Sequence, residues 1–246
     1  MYVTDEWLHR VSIFDQKGHF LRMWGAAGDG ESELNGPAGI AIDQRNDVYI
    51  VDSHNHRSQK FTQDGQFLAT WGRFGTAPGE FNCPWGMSID RHGDLYVADH
   101  KNHRVQKFAP DGQPLATFGS YGRGNGQLNH LSDVALDPDG DVYICDWAND
   151  RVQVFGPDGR FVTSFLGDAQ AMSKSARMAV ETNPETVKRL REWRRPEIIG
   201  RFSFPTGVAF DAKKERLIAA DSQSQRGRLQ MYNKLRHYVQ PGGSGI

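Results

Sequence analysis

The sequence is short of cysteine, of long apolar runs and of net charge, and each shortage excludes a class of protein. Two cysteines among 246 residues, Cys83 and Cys145, are too few for a disulfide-stapled framework. No run of apolar residues approaches the roughly 18 that a transmembrane helix needs. The first residues also lack the basic and apolar regions of a signal peptide. These features favour a cytoplasmic protein without a membrane span.

The charges are balanced, with 29 Lys and Arg against 30 Asp and Glu and a net charge of −1. This balance argues against a globally basic nucleic-acid-binding protein, although it allows a local basic face. Glycine and proline, in contrast, are plentiful at 27 and 11 residues. Such a content is typical of a chain built from turns and short strands.

Several positions recur at a fixed spacing of 47 residues. A full copy, such as Cys83–Asn129, contains four short alternating segments separated by Gly- and Asp-rich turns, which predicts antiparallel strands. The first copy begins at its second segment. A fifth copy, marked by Asp221, Arg228 and Tyr232, follows after a longer gap. The sequence therefore predicts an all-β propeller of four-stranded antiparallel blades. The recurrent positions are Asp5, Asp52, Asp99 and Asp146; Arg10, Arg57, Arg104 and Arg151; Phe14, Phe61, Phe108 and Phe155; Trp24, Trp71, Phe118 and Phe165.

The segments Pro37–Asp43 and Val48–Arg57 resemble the NHL repeat, and Val97–Gln106 matches it as well. The resemblance implies one propeller domain over residues 1–246 in a family that includes RNA binders, protein-binding scaffolds and a metal-dependent lyase. NHL-type propellers usually have six blades, whereas about five are visible here. We expect either a five-bladed ring or an incomplete six-bladed one, whose open blade edge would favour self-association.

Residues 168–203 break the repeat. Apolar residues in Ala171–Val180 recur at helical spacing, and Asn183, Pro184 and Glu185 form a typical helix start. We predict a helical insertion between blades.

Alternating hairpins place the second turn of each blade and the inter-blade loops on one face, which we call the long-loop face. Residues that recur in every blade are interpreted as architectural, and His9, His56 and His103, which share one repeated position, are interpreted as turn residues. Blade-specific side chains on this face are better candidates for binding. The predicted binding residues are Trp7, His54, Trp85, His100, Tyr121, Trp147 and Asn149.

The sequence has no recognisable catalytic set, so we hypothesise a non-enzymatic scaffold without a cofactor. Its partner would be a protein, peptide or glycan bound to the long-loop face. One alternative is single-stranded RNA binding, for which Arg73 and Arg123 would supply charge and Trp85 and Tyr121 would stack on bases.

A second alternative is a metal-dependent lyase or hydrolase with a site at the channel mouth. Its candidate metal ligands are His54, His100 and His130, which suit zinc. Calcium is a weaker option because the acidic turn Asp137–Asp141 has Ala148 where a calcium loop ends in glutamate.

Overall fold

The computed structural model describes residues 1–167, 202–221 and 228–234. In these ranges the chain is an all-β propeller of five antiparallel blades, which confirms the predicted fold class. The predicted helical insertion falls outside the described residues, apart from its last two, Phe202 and Ser203. No helix in the described ranges is long and apolar enough to cross a membrane.

The blades follow one another in chain order, and consecutive strands within a blade are hydrogen-bonded neighbours. Within the described residues, blades 1 and 5 have three strands each, and the other three blades have four. In chain order the strands are β1 (Tyr2–Asp5), β2 (Arg10–Phe14) and β3 (Phe20–Trp24) in blade 1; the short parallel pair β4 (Ala26–Ala27) and β5 (Glu33–Leu34); β6 (Pro37–Ile42), β7 (Val48–Asp52), β8 (Arg57–Phe61) and β9 (Phe67–Trp71) in blade 2; β10 (Met87–Ile89), β11 (Leu95–Asp99), β12 (Arg104–Phe108) and β13 (Pro114–Phe118) in blade 3; the short parallel pair β14 (Ser120–Tyr121) and β15 (Gln127–Leu128); β16 (Leu131–Leu136), β17 (Val142–Asp146), β18 (Arg151–Phe155) and β19 (Phe161–Phe165) in blade 4; and β20 (Pro205–Asp211), β21 (Arg216–Asp221) and β22 (Arg228–Asn233) in blade 5.

A single 3-10 turn follows the second strand in blades 2, 3 and 4. These turns are Ser53–Asn55, His100–Asn102 and Trp147–Asn149. Each ends at a residue in the left-handed backbone region.

The second strands β7, β11 and β17 are buried along their whole length. Their sequences are nearly continuous apolar runs because a neighbouring blade covers each face of the strand. The terminal aspartate of each strand is the exception to this apolar pattern, and it pairs in register with the arginine that opens the third strand.

The hydrophobic core is divided into four clusters, and each lies between two consecutive blades. Phe61, Phe108 and Phe155 end the third strands and are each almost fully buried. These phenylalanines occupy equivalent places in successive clusters, as the 47-residue spacing predicts. Stacking of blades therefore supplies the burial that an isolated blade lacks.

The inner strands β6, β10, β16 and β20 line a central cavity of about 460 Å³. The 3-10 turns and the inter-blade loops meet at one end of the blades, where Asn102 Nδ2 donates to the carbonyl of Gly75 over 2.8 Å. This end is the predicted long-loop face.

Candidate functional site

A buried carboxylate network repeats on the long-loop face, and blade 3 illustrates it. Asp99 is completely buried, and its Oδ1 accepts the backbone N–H of Asn82 at 2.8 Å. Its Oδ2 accepts hydrogen bonds from Asn102 Nδ2 at 2.9 Å, Arg104 Nε at 2.9 Å and Gln106 Nε2 at 3.1 Å. Burial raises the pKa of the Asp99 carboxyl, and these donors act in the opposite direction.

The same network surrounds Asp52 and Asp146 in blades 2 and 4. Its arginines also hold the loop from the preceding blade, since Arg104 Nη2 donates to the carbonyls of Ala77 and Glu80 at 2.8 and 2.9 Å. The recurrent aspartates and arginines in these blades therefore fix the inter-blade loops.

Asn149, a predicted binding residue, belongs to this network. Its amide donates to the carbonyl of Gly122 at 2.8 Å and to the carboxylate of Asp146. Asn55 and Asn102 do the same in their own blades. Asparagine recurs at this position in blades 2, 3 and 4 with the spacing of the repeat. Like the recurrent aspartates, Asn149 is therefore part of the architecture.

The recurrent histidines link consecutive blades. His9, His56 and His103 each adopt a left-handed backbone conformation, and each Nδ1 accepts a backbone N–H from the following inter-blade segment. In blade 4, Asp150 takes the equivalent position and accepts the N–H of Phe204 at 2.8 Å. Burial lowers the pKa of His56 and of His103, which favours the neutral ring whose Nδ1 can accept this hydrogen bond.

Three of the predicted binding residues, Trp85, His100 and Trp147, do come together. Trp85 and His100 have ring centroids 4.1 Å apart, and His100 lies 6.3 Å from Trp147. Phe204 extends the group at 4.7 Å from Trp147, and His130 lies 4.9 Å from His100. We call these five side chains, from blades 3 to 5, the rim patch.

Burial keeps the centre of the rim patch uncharged. His100 is only 8% exposed, and its Nδ1 lies 2.7 Å from the carbonyl oxygen of Leu131. Since a carbonyl oxygen only accepts, Nδ1 carries the proton of the neutral ring. Burial lowers the pKa of His100 to about 4, so the ring is neutral at physiological pH. The patch therefore presents aromatic surface and few charges.

The remaining predicted binding residues lie around or away from this patch. Tyr121 is joined to it through His103, whose ring lies 4.6 Å from Tyr121 and 4.7 Å from His130. Trp7 and His54 are exposed, and neither makes a ring contact with the patch in the described part of the chain. The sequence pattern did not single out Phe204, because it directly follows the segment that breaks the repeat.

Within residues 1–167, 202–221 and 228–234, no three His, Cys, Asp or Glu side chains are grouped so that they could hold a metal ion. His100, His103 and His130 are neighbours, but the Nδ1 atom of each is already hydrogen-bonded within the protein. The zinc and calcium alternatives stay predictions.

Sequence reasoning missed Asp133, an ionisable side chain lining the central cavity. Its Oδ2 accepts the N–H of Val208 at 2.9 Å, and its Oδ1 accepts the N–H of Val134 at 2.9 Å. The signal that could have found it is the repeat itself, because Asp133 stands where Gly39 and Gly86 stand in the two preceding blades.

The family model of the NHL repeat matches residues 34–61, 81–108 and 128–155. These matches run from the loop before each inner strand to the end of the third strand in blades 2, 3 and 4. No curated protein sequence matches the chain.

Solved structures share the fold at low sequence identity. A virginiamycin B lyase from Staphylococcus aureus superposes with a TM-score of 0.55 and 12% identity, covering 94% of this chain and 65% of that chain. A structure described as streptogramin B lyase gives the same TM-score and identity, covering 94% and 64% of the two chains. A protein of unknown function from Bacteroides thetaiotaomicron gives 0.58 and 18%, covering 90% and 53%. The chain thus spans just under two thirds of the length of the lyases, and these similarities show the fold alone.

Proposed function

The chain is an NHL-repeat β-propeller, and from that premise we propose that it is a binding scaffold that captures a protein or peptide partner through its rim patch. The supporting observation is a group of aromatic side chains that the repeated architecture does not use. Phe204 is 43% exposed, and the adjoining Tyr121 is 68% exposed.

The chemistry of the patch suits a protein or peptide surface. Tryptophan and tyrosine are enriched among the residues that dominate binding energy in protein interfaces. The rings are carried by segments that the Asp99 and Asp146 networks hold in place, so little ordering is needed on binding. The neutral state of His100 avoids the burial of a charge beneath a partner.

The test uses peptides selected from a random phage-displayed library on the wild-type protein. We expect selected peptides to bind Trp147→Ala and Phe204→Ala at least about tenfold more weakly, the effect of removing one interface anchor. Phe20→Ala is the matched control, because this aromatic residue is exposed on the outer strand of blade 1, away from the patch. Equal affinity of all variants for the selected peptides would remove the rim patch from consideration.

Aromatic rings also stack on sugars and on bases, so the same variants are compared on a glycan array and with single-stranded RNA. If no peptide is selected and a glycan or RNA binds tightly in a way that depends on Trp147, that ligand class would take the place of the proposed protein partner. Affinity for RNA that falls steeply with salt would favour the nucleic-acid alternative. Stoichiometric zinc lost in His54→Ala or His100→Ala would favour the metal-dependent enzyme.

A further inference from the structure

The innermost strands of blades 2, 3, 4 and 5 share one special position. It is held by Gly39, Gly86, Asp133 and Gly207. The strand register shows that Asp133 and Gly207 are equivalent. Asp133 pairs with Cys145 and Gly207 pairs with Ala220, and each of these partners directly precedes the terminal aspartate of its second strand. Three of the four blades therefore have glycine at this point and one has an ionisable residue.

Close approach of neighbouring blades explains the glycines. A Cβ on Gly39 would lie 2.5 Å from the carbonyl oxygen of Trp85 and 2.7 Å from the nitrogen of Met87. A Cβ on Gly86 would overlap the carboxylate of Asp133. Packing of the inner strands thus requires glycine at positions 39 and 86, whereas a Cβ on Gly207 would make ordinary van der Waals contacts. Aspartate in blade 4 departs from the glycine that the other three blades share. A residue that departs from an architectural repeat is a candidate for function.

No cation neutralises this carboxylate in the described part of the chain. Lys or Arg side chains pair there with Asp43, Asp90, Asp137 and other aspartates, but none pairs with Asp133. Its hydrogen-bond donors are the two backbone N–H groups of Val134 and Val208. Burial raises the pKa of the Asp133 carboxyl to about 7, although these two N–H groups act to lower it.

The cavity around Asp133 has the volume of a small-molecule site, about 460 Å³ shared among four inner strands. Its exposed wall is more polar than apolar. Of its lining residues, Met87 and Val134 have side chains buried in the clusters between blades. Asp133 is the one ionisable residue among the described residues that line the cavity, so the cavity matches a small cationic ligand with hydrogen-bond donors. A metal ion would need several more oxygen or nitrogen ligands, which the described residues do not bring together.

We propose that the central cavity binds a small organic ammonium ion, with the Asp133 carboxylate as its counter-ion. The site is distinct from the rim patch. Variants of Asp133 therefore test it without altering Trp147 or Phe204.

The experiment measures binding of n-butylammonium chloride to the full chain by isothermal titration calorimetry at pH 8, where the carboxylate is ionised. Butan-1-ol is the neutral probe of matching shape. We expect the ammonium ion to bind at least tenfold more tightly than the alcohol. Asp133→Asn and Asp133→Gly should each weaken ammonium binding at least tenfold, and Asp111→Asn, an exposed carboxylate in a turn of blade 3, should leave it unchanged.

Asp133→Gly guards against a trivial loss of folding, because it gives blade 4 the residue that the other three blades have. Thermal unfolding of each variant is recorded beside the titration. A purely structural role for Asp133, as the acceptor that joins β16 to β20, predicts a lower melting temperature and no ammonium binding by the wild type. That result would overturn the proposal, as would equal binding by wild type and Asp133→Gly, or equal displacement of the probe by sodium chloride.

Discussion

At the scale of single residues, the propeller depends on buried carboxylates with complete sets of donors. A buried charge is tolerated only when it is paired and hydrogen-bonded. Asp99 meets this requirement with one backbone N–H and three side-chain donors, all within 3.1 Å. Because the donors come from both the turn and the third strand, the carboxylate fixes the geometry from which the rim residues project.

We predict that Asp99→Asn lowers the free energy of unfolding by about 3–5 kcal/mol, since it leaves the Arg104 guanidinium without its buried partner. Urea denaturation followed by tryptophan fluorescence measures the change. The control is Asp111→Asn, whose carboxylate is exposed and should shift stability by no more than about 0.5 kcal/mol. A loss below about 1 kcal/mol for Asp99→Asn would contradict the assigned role of the network.

At the scale of elements, blade 4 obtains from its neighbour a cation that blades 2 and 3 supply themselves. On the face opposite the rim patch, Lys60 Nζ lies 2.9 Å from Asp47, and Lys107 Nζ lies 2.8 Å from Asp94. The equivalent residue of blade 4 is Val154. There Lys234, which directly follows β22 of blade 5, donates to three carboxylates of blade 4, those of Asp137, Asp139 and Asp141.

Lys234 therefore fastens the end of blade 5 to blade 4. Burial alone would lower the pKa of Lys234, but its hydrogen bonds to the three aspartates outweigh this effect and raise it. The repeat pattern cannot predict this contact, because Lys234 lies 93 to 97 residues after the aspartates to which it donates.

We predict that Lys234→Met destabilises the protein by about 1–3 kcal/mol, because three neighbouring carboxylates lose their shared cation. Val154→Lys provides the matched second variant, since it places lysine where Lys60 and Lys107 stand. In a double-mutant cycle, Val154→Lys should cost less in the Lys234→Met background than in the wild type. Equal costs in the two backgrounds would show that the acidic turn does not need the cation.

At the scale of the whole molecule, two buried groups couple folding to pH with opposite signs. The folded-state pKa of His100, about 4, is below its ordinary value of 6.5. Its contribution to stability is therefore present above pH 6.5 and is lost as the pH falls through 4. The folded-state pKa of Asp133, about 7, is above its ordinary value of 3.8. Its contribution is present below pH 3.8 and is lost as the pH rises through 7.

We predict that the unfolding free energy of Asp133→Asn, minus that of the wild type, increases between pH 4 and pH 8. The expected increase is about 2–4 kcal/mol, at about 1.4 kcal/mol for each unit of pKa difference. The His100 contribution is common to both proteins and cancels in the difference. Parallel stability curves, obtained from urea denaturation across this range, would show that the Asp133 pKa is not raised by folding.

The repeat predicted the blades well because its signals are local. Alternating apolar residues and the Gly and Asp turns specify strands and hairpins within a few residues of each other. The prediction for the site was less complete. Trp85, His100 and Trp147 meet as expected of one face, but Asn149 is bound into the scaffold, and Trp7 and His54 lie apart from the patch.

The sequence by itself determined the blade, its four-strand pattern, and the aspartate and arginine that repeat in it. These follow from hydrogen-bonding and burial requirements that each copy meets in the same way. Tertiary structure alone decided which blade-specific side chains meet at the rim and that Lys234 bonds to carboxylates of the blade before its own. It also decided that Asp133 lines the central cavity without a cationic partner among the described residues. Each of these depends on distances between residues far apart in the chain, and only the packing of one blade against the next fixes those distances.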